Sequence, residues 1–126
     1  MSSRDCTPSP AESQAAATNA LRRRAEQHLE SAGLRILDRD WRCADGQIDI
    51  VAAEHRTLVV CEVQTRSASC ASAPAMSRAR RTRLRRLAVR WLVAHGLLFD
   101  EVRVDVVCLL RGRPGALSIE HHRGVG

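Results

Sequence analysis

Residues 46–66, GQIDIVAAEHRTLVVCEVQTR, decide how the rest of the chain is read. Asp49 lies between Ile48 and Ile50 in one apolar run, and Glu62 lies two residues before Gln64 in another. Both runs are rich in Val and Ile and free of proline, and the polar segment from Ala53 to Thr57 separates them, which predicts a β-hairpin. Side chains of a strand alternate, so Leu58, Val60, Glu62 and Gln64 share one face while Val59, Cys61 and Val63 share the other. Apolar residues on both faces predict a strand covered on two sides. A carboxylate inside such a strand is costly unless a cation or a hydrogen-bond donor meets it. Two answers stand open on spacing alone. One is a divalent ion, Mg²⁺ or Mn²⁺, held by the oxygens of Asp49 and Glu62, with Gln64 roughly 6–7 Å along the strand from Glu62 and placed to orient a bound water. The other is a pair of carboxylates answered by arginines.

Arginine is abundant. The chain has 126 residues and a formal charge of +6, and its twenty basic residues are all arginine. The length predicts one domain with a real core. The charge favours a polyanionic partner, nucleic acid before an anionic membrane. Arginine also grips phosphate with two parallel hydrogen bonds. Cys6, Cys43, Cys61, Cys70 and Cys108 form no zinc-finger spacing, which predicts reduced thiols and a cytoplasmic protein. The N-terminus shows no secretory signal pattern, and no apolar run reaches the length of a membrane span.

Outward from the hairpin, residues 1–14 are Ser- and Pro-rich and predict a disordered tail, and the single domain is expected over 15–122. Residues 15–32 carry a helical period with Leu21, Ala25, His28, Leu29 and Ala32 on one face, closed by Gly33. Leu34 to Cys43 predicts a first strand, and Asp45-Gly46 predicts a tight turn into the strand of Asp49. Residues 67–74, SASCASAP, read as a loop. A second helix over 76–95 places Leu84, Leu87, Ala88, Trp91 and Leu92 at core spacing and is stopped by Gly96. Its other positions include Arg78, Arg80, Arg81, Arg83, Arg85, Arg86 and Arg90 with no acid among them. Val102 to Leu110 predicts a strong strand, and a helix between two such strands permits a parallel crossover. Residues 116–122 predict an edge strand, and 123–126 a frayed end.

A charged helix face normally mixes signs; this one does not, which favours phosphate contact by Arg78, Arg80, Arg81, Arg83, Arg85 and Arg86, with binding that weakens in salt. Only Trp41, Trp91 and Phe99 are available for base stacking, so recognition through aromatic platforms is disfavoured. His121 and His122, adjacent on the edge strand, read as exposed side chains, and His28 as a packed one. Asp105 alternates with apolar residues in VRVDVV, and the arginines of the basic helix are candidate partners for it, its role being left open by the sequence.

GQIDIV, VVCEVQTR, the arginine-rich helix and VRVDVV together resemble the YraN-like family of bacterial proteins, within the PD-(D/E)xK nuclease-like superfamily. The resemblance covers roughly Leu21 to Val107. It implies an α/β domain of restriction-endonuclease-like architecture, a mixed β-sheet flanked by helices, acting on or binding DNA. It further implies that Asp49 and Glu62 are metal ligands and that Gln64 stands where the family carries a lysine that polarises the attacking water. Gln47 and Arg22 also replace family acids, with Glu26 one turn beyond Arg22 as a substitute. The expectation is therefore a Mg²⁺- or Mn²⁺-dependent endonuclease with reduced or lost turnover. The alternatives are a non-catalytic nucleic-acid-binding protein and an assembly partner of an acidic protein. A homodimer is compatible with either.

Overall fold

A computed structural model describes residues 10–67, 76–113 and 115–125, with side chains from Asn19 onward except that of Ser67. Seven elements follow one another as α1 (Pro10–Ser31), β1 (Arg35–Cys43), β2 (Gly46–Glu54), β3 (Thr57–Ser67), α2 (Arg78–His95), β4 (Glu101–Arg111) and β5 (Leu117–His122). The strands form one sheet in the order β1-β2-β3-β4-β5. Neighbours pair antiparallel except β3 and β4, which run parallel from Thr57↔Glu101 to Ser67↔Arg111. This is the α/β mixed sheet flanked by helices that the sequence predicts, and it is compatible with a restriction-endonuclease-like fold.

Each face of the sheet carries one helix. Val59 and Cys61 of β3 pack with Ala25 and Leu29 of α1, while Leu58 and Val60 pack with Leu84, Leu87, Ala88 and Trp91 of α2. The alternation expected for β3 thus feeds two cores, and Glu62 and Gln64 follow Val60 on the face of α2. Trp91 fixes that helix further: its indole N–H donates to Asp38 Oδ2 at 2.9 Å, and its ring stacks on His95. Burial raises the Cys61 thiol well above its ordinary range, with the charge of Asp105 adding to the effect, so it stays neutral in the core. Cys43 and Cys108 are likewise free thiols, whereas Cys6 and Cys70 lie outside the described residues.

Two boundaries differ from expectation. Helix α1 begins at Pro10 rather than Ala15, so residues 10–14 extend the helix instead of belonging to the tail; proline is tolerated at a first helical position because the N–H it lacks would be unpaired there. Residues 1–9 lie outside the described residues, as do 68–75, which include most of the expected loop. At the other end, where 123–126 are expected to fray, Gly124 and Val125 form a strap. Gly124 N donates to Asp105 Oδ1 at 3.0 Å, Val125 N donates to Val104 O at 2.9 Å, and Val125 packs against the α2 core.

Candidate functional site

The tight turn at Ala44 and Asp45 starts β2, and Gly46 takes φ +147, a conformation that side chains resist. A Cβ there would lie 3.3 Å from Leu87 Cδ1, so glycine also lets α2 approach this end of the sheet. From there β2 runs to Asp49. The β2–β3 ladder spans Glu54↔Thr57 to Ile50↔Cys61, and beyond it Asp49 takes over. Its Oδ2 accepts the Val63 backbone N–H at 2.8 Å, a bond that a carbonyl would accept in a continuing ladder. Asp49 therefore sits where the two strands separate, beside Glu62. Burial raises its pKa, opposed by the Val63 N–H; the charge of Glu62 raises it further and that of Arg80 lowers it. Those charges place Asp49, Glu62 and Arg80 within one electrostatic cluster.

Both oxygens of Glu62 are engaged. Arg80 Nε donates to Oε1 at 2.5 Å and Gln64 Nε2 donates to Oε2 at 2.8 Å. Arg80 thus comes from α2 to meet the glutamate. Gln47 joins the cluster from the other side, donating to Asp49 Oδ1 at 3.4 Å and to Asp40 Oδ1 at 2.9 Å. Asp40 was not singled out in the sequence; its φ of +49, and the two-residue offset that brings Arg42 Nε to its carboxylate, are not readable from composition. Glu26 is held by arginines. It is buried against Arg39 and Arg22, which hold its carboxylate at 3.1 and 3.5 Å.

Asp49 and Glu62 are hard oxygen donors, and Mg²⁺ characteristically takes one or two carboxylates while retaining water. Among the described residues no three His, Cys, Asp or Glu side chains gather to hold an ion.

Apart from Arg80, the arginines of α2 divide into two groups. Arg81 Nη1 donates to Met76 O at 2.9 Å and Arg85 Nη1 to Val102 O at 3.1 Å, so both guanidiniums fasten the helix to adjoining backbone. Arg78, Arg83 and Arg86 instead line a cleft of about 790 Å³ between α2 and the β1–β2 turn, with Arg90 at its end paired to Asp45. Among the described residues the side chains of these three make no hydrogen bond or ion pair. No acid occupies the first turn of α2, although carboxylates are the residues that a helix N-terminus favours.

A second polar cluster was missed. Asp105, fully buried, accepts from Arg103 Nε at 2.8 Å and Arg103 Nη2 at 3.0 Å, and His121 Nε2 lies 2.7 Å from its Oδ2. Its partner is thus the arginine two residues before it on the same strand face, rather than one of α2. His121 is correspondingly packed, with a side chain only 7% exposed, because its edge strand lies directly against β4. Arg103 and Arg123 both reach Glu54, whose carboxyl they hold below its usual range. Burial pushes Asp105 up, but the bonds from His121, Arg103 and Gly124 outweigh it and hold the group at about 2.

Comparison with known proteins matches residues 22–109 to the family described as Uncharacterised protein family UPF0102. A UPF0102 protein of Beutenbergia cavernae is 50% identical over 104 residues, covering 81% of this chain and 88% of the relative. One from Parafrankia sp. is 49% identical over 102 residues, covering 79% and 86%. One from Arthrobacter sp. is 45% identical over 116 residues, covering 87% and 98%. The family resemblance read from the four sequence blocks is borne out.

Proposed function

The chain belongs to protein family UPF0102, and we propose that it is a nuclease-like protein that holds the phosphodiester backbone of DNA along α2 beside the Asp49–Glu62 pair. The observation that carries this reading is the placement of the open arginine cleft and the acid pair along one helix. Arg83 borders the cleft, and Arg80, one turn earlier, bonds Glu62. A phosphate entering the cleft would complete the electrostatics of a helix N-terminus that has arginines and no acid in its first turn. Contacts of this kind position a duplex without reading its sequence.

In this proposal Asp49 and Glu62 would hold Mg²⁺ or Mn²⁺. Such an ion, when bound, polarises a phosphoryl oxygen and lowers the pKa of its water. Gln64 is placed by its bond to Glu62, and its amide can orient a water through hydrogen bonding but supplies no positive charge. Arg80 is the nearby cation that would stabilise charge developing on the phosphate.

A second reading, DNA binding without turnover, is favoured by one observation: both oxygens of Glu62 already have donors, Arg80 and Gln64. Cleavage of labelled linear and branched DNA with Mg²⁺ or Mn²⁺, wild type beside Asp49→Ala, separates the two. Metal-dependent cleavage lost in the variant supports the nuclease. DNA retained at low salt by both proteins without cleavage supports binding alone, and no DNA binding at low salt would point instead to an acidic protein partner.

A further inference from the structure

Arg80 differs from every other arginine of α2. It precedes Leu84, Leu87 and Trp91 by four, seven and eleven residues, so it continues the stripe that packs on the sheet, and those three side chains are buried. Its backbone is fixed as well, since Ser77 Oγ accepts the Arg80 N–H at 3.1 Å in an N-cap. The stripe aims the guanidinium at β3, where it meets Glu62 at 2.5 Å while its charge also acts on Asp49. The Glu62 side chain is only 13% exposed, so this cation answers a carboxylate largely withdrawn from water. The Arg80 side chain remains 45% exposed, which leaves it room to swing outward without disturbing the core.

We infer that Arg80 is a built-in counter-cation of the Asp49–Glu62 pair, which a divalent ion must displace from Glu62 and which thereby sets the metal affinity of the site. The inference rests on the proposal that the pair takes a metal, and deepens it. An ion and a guanidinium both draw on the charge of Glu62, whose two oxygens already carry the bonds from Arg80 and Gln64, so the two cations compete. The displaced guanidinium, on the same helix as the arginine cleft, becomes available to a phosphate. Metal binding and backbone binding are then coupled through one side chain.

The test is direct Mn²⁺ binding, read by electron paramagnetic resonance of the unbound aqua ion, in wild type, Arg80→Gln, Arg80→Met, Arg80→Lys and the double variant Arg80→Gln/Glu62→Gln. Circular dichroism confirms folding of each. Arg80→Gln and Arg80→Met are expected to bind Mn²⁺ about tenfold more tightly than wild type, equivalent to about 1.4 kcal/mol. Arg80→Lys, which keeps the charge, stays near wild type, and the double variant loses the gain. Equal affinity in wild type and the two neutral variants would overturn the inference while leaving the metal site standing. No binding by any folded protein would overturn the metal site and the inference together.

Discussion

Replacing Arg83 and Arg86 together by alanine tests the proposed phosphate-binding surface at a magnitude the geometry supplies. Arg78, Arg83 and Arg86 line the cleft, whereas Arg81 and Arg85 are tied to the carbonyls of Met76 and Val102. Each phosphate neutralised contributes about −0.9 to the slope of log Kobs against log salt, so three cleft arginines give a slope of about −2.7 for duplex DNA. Wild-type affinity then falls about 40-fold between roughly 50 and 200 mM salt. Arg83→Ala/Arg86→Ala leaves one contact and a slope of about −0.9, a loss of about 3- to 4-fold over the same range. Arg81→Ala/Arg85→Ala removes equal formal charge and is expected to keep the wild-type slope. Fluorescence anisotropy with a labelled duplex, titrated at several salt concentrations, measures both. A cleft variant with an unchanged slope, or a control pair that loses as much, would refute the division of the helix into phosphate-facing and backbone-fastened arginines.

Glu62→Gln should abolish any Mg²⁺-dependent cleavage while leaving DNA affinity equal or higher, measured by gel assay and anisotropy on one preparation. Asp105→Asn, which removes the charge facing Arg103 inside the core, should cost about 3 kcal/mol in urea unfolding at neutral pH. The wild type should show a related acid dependence. Because the Asp105 pKa falls from 3.8 to about 2 on folding, the unfolded chain binds more protons between those values, so stability is present above about pH 4 and drains as pH falls towards 2. That loss amounts to about 2 kcal/mol from this group, and the Asp105→Asn variant should lack that component in urea melts at stepped pH. Gly46→Ala should destabilise by about 1–3 kcal/mol, since alanine is strained at φ +147 and its Cβ meets Leu87 Cδ1 at 3.3 Å; a thermal melt equal to wild type would remove that close approach from the account.

What the sequence made legible is what period and punctuation encode. The 3.6-residue spacing of Leu84, Leu87, Ala88 and Trp91 and the two-residue alternation through Leu58–Val63 identify which side chains meet which helix, and both are core in the structure. The order of elements and the parallel crossover follow from the same patterns. Partners of charged groups were less legible. Asp105 was read against α2, but strand alternation also aligns it with Arg103 on its own strand, and the register of the final strand pairs His121 with Val107, from where its ring reaches diagonally to Asp105. Register over such a distance depends on the fold as a whole, so a two-histidine edge strand gave no sign of a buried partner. The same limit applied to Arg80: its spacing to Leu84 was readable, yet within a run of arginines it looked like one more solvated cation until the sheet supplied Glu62. The C-terminal strap had no sequence signal beyond Val125, because its anchoring rests on backbone donors at Gly124 and Val125.

The parallel pairing of β3 with β4 also sets an order of assembly. The β1–β2 and β2–β3 pairings close across short turns, whereas β3 can meet β4 only after the chain has run out through α2 and returned. Loop closure over that span costs more entropy than closing a hairpin, and non-local parallel pairing is intrinsically slow. Asp49 and Glu62 therefore come together early, on neighbouring strands, while the arginines of α2 reach them only when the crossover docks. A nascent chain would carry its two acids side by side before it had the cations that face them, and the arginine-lined cleft would arrive last.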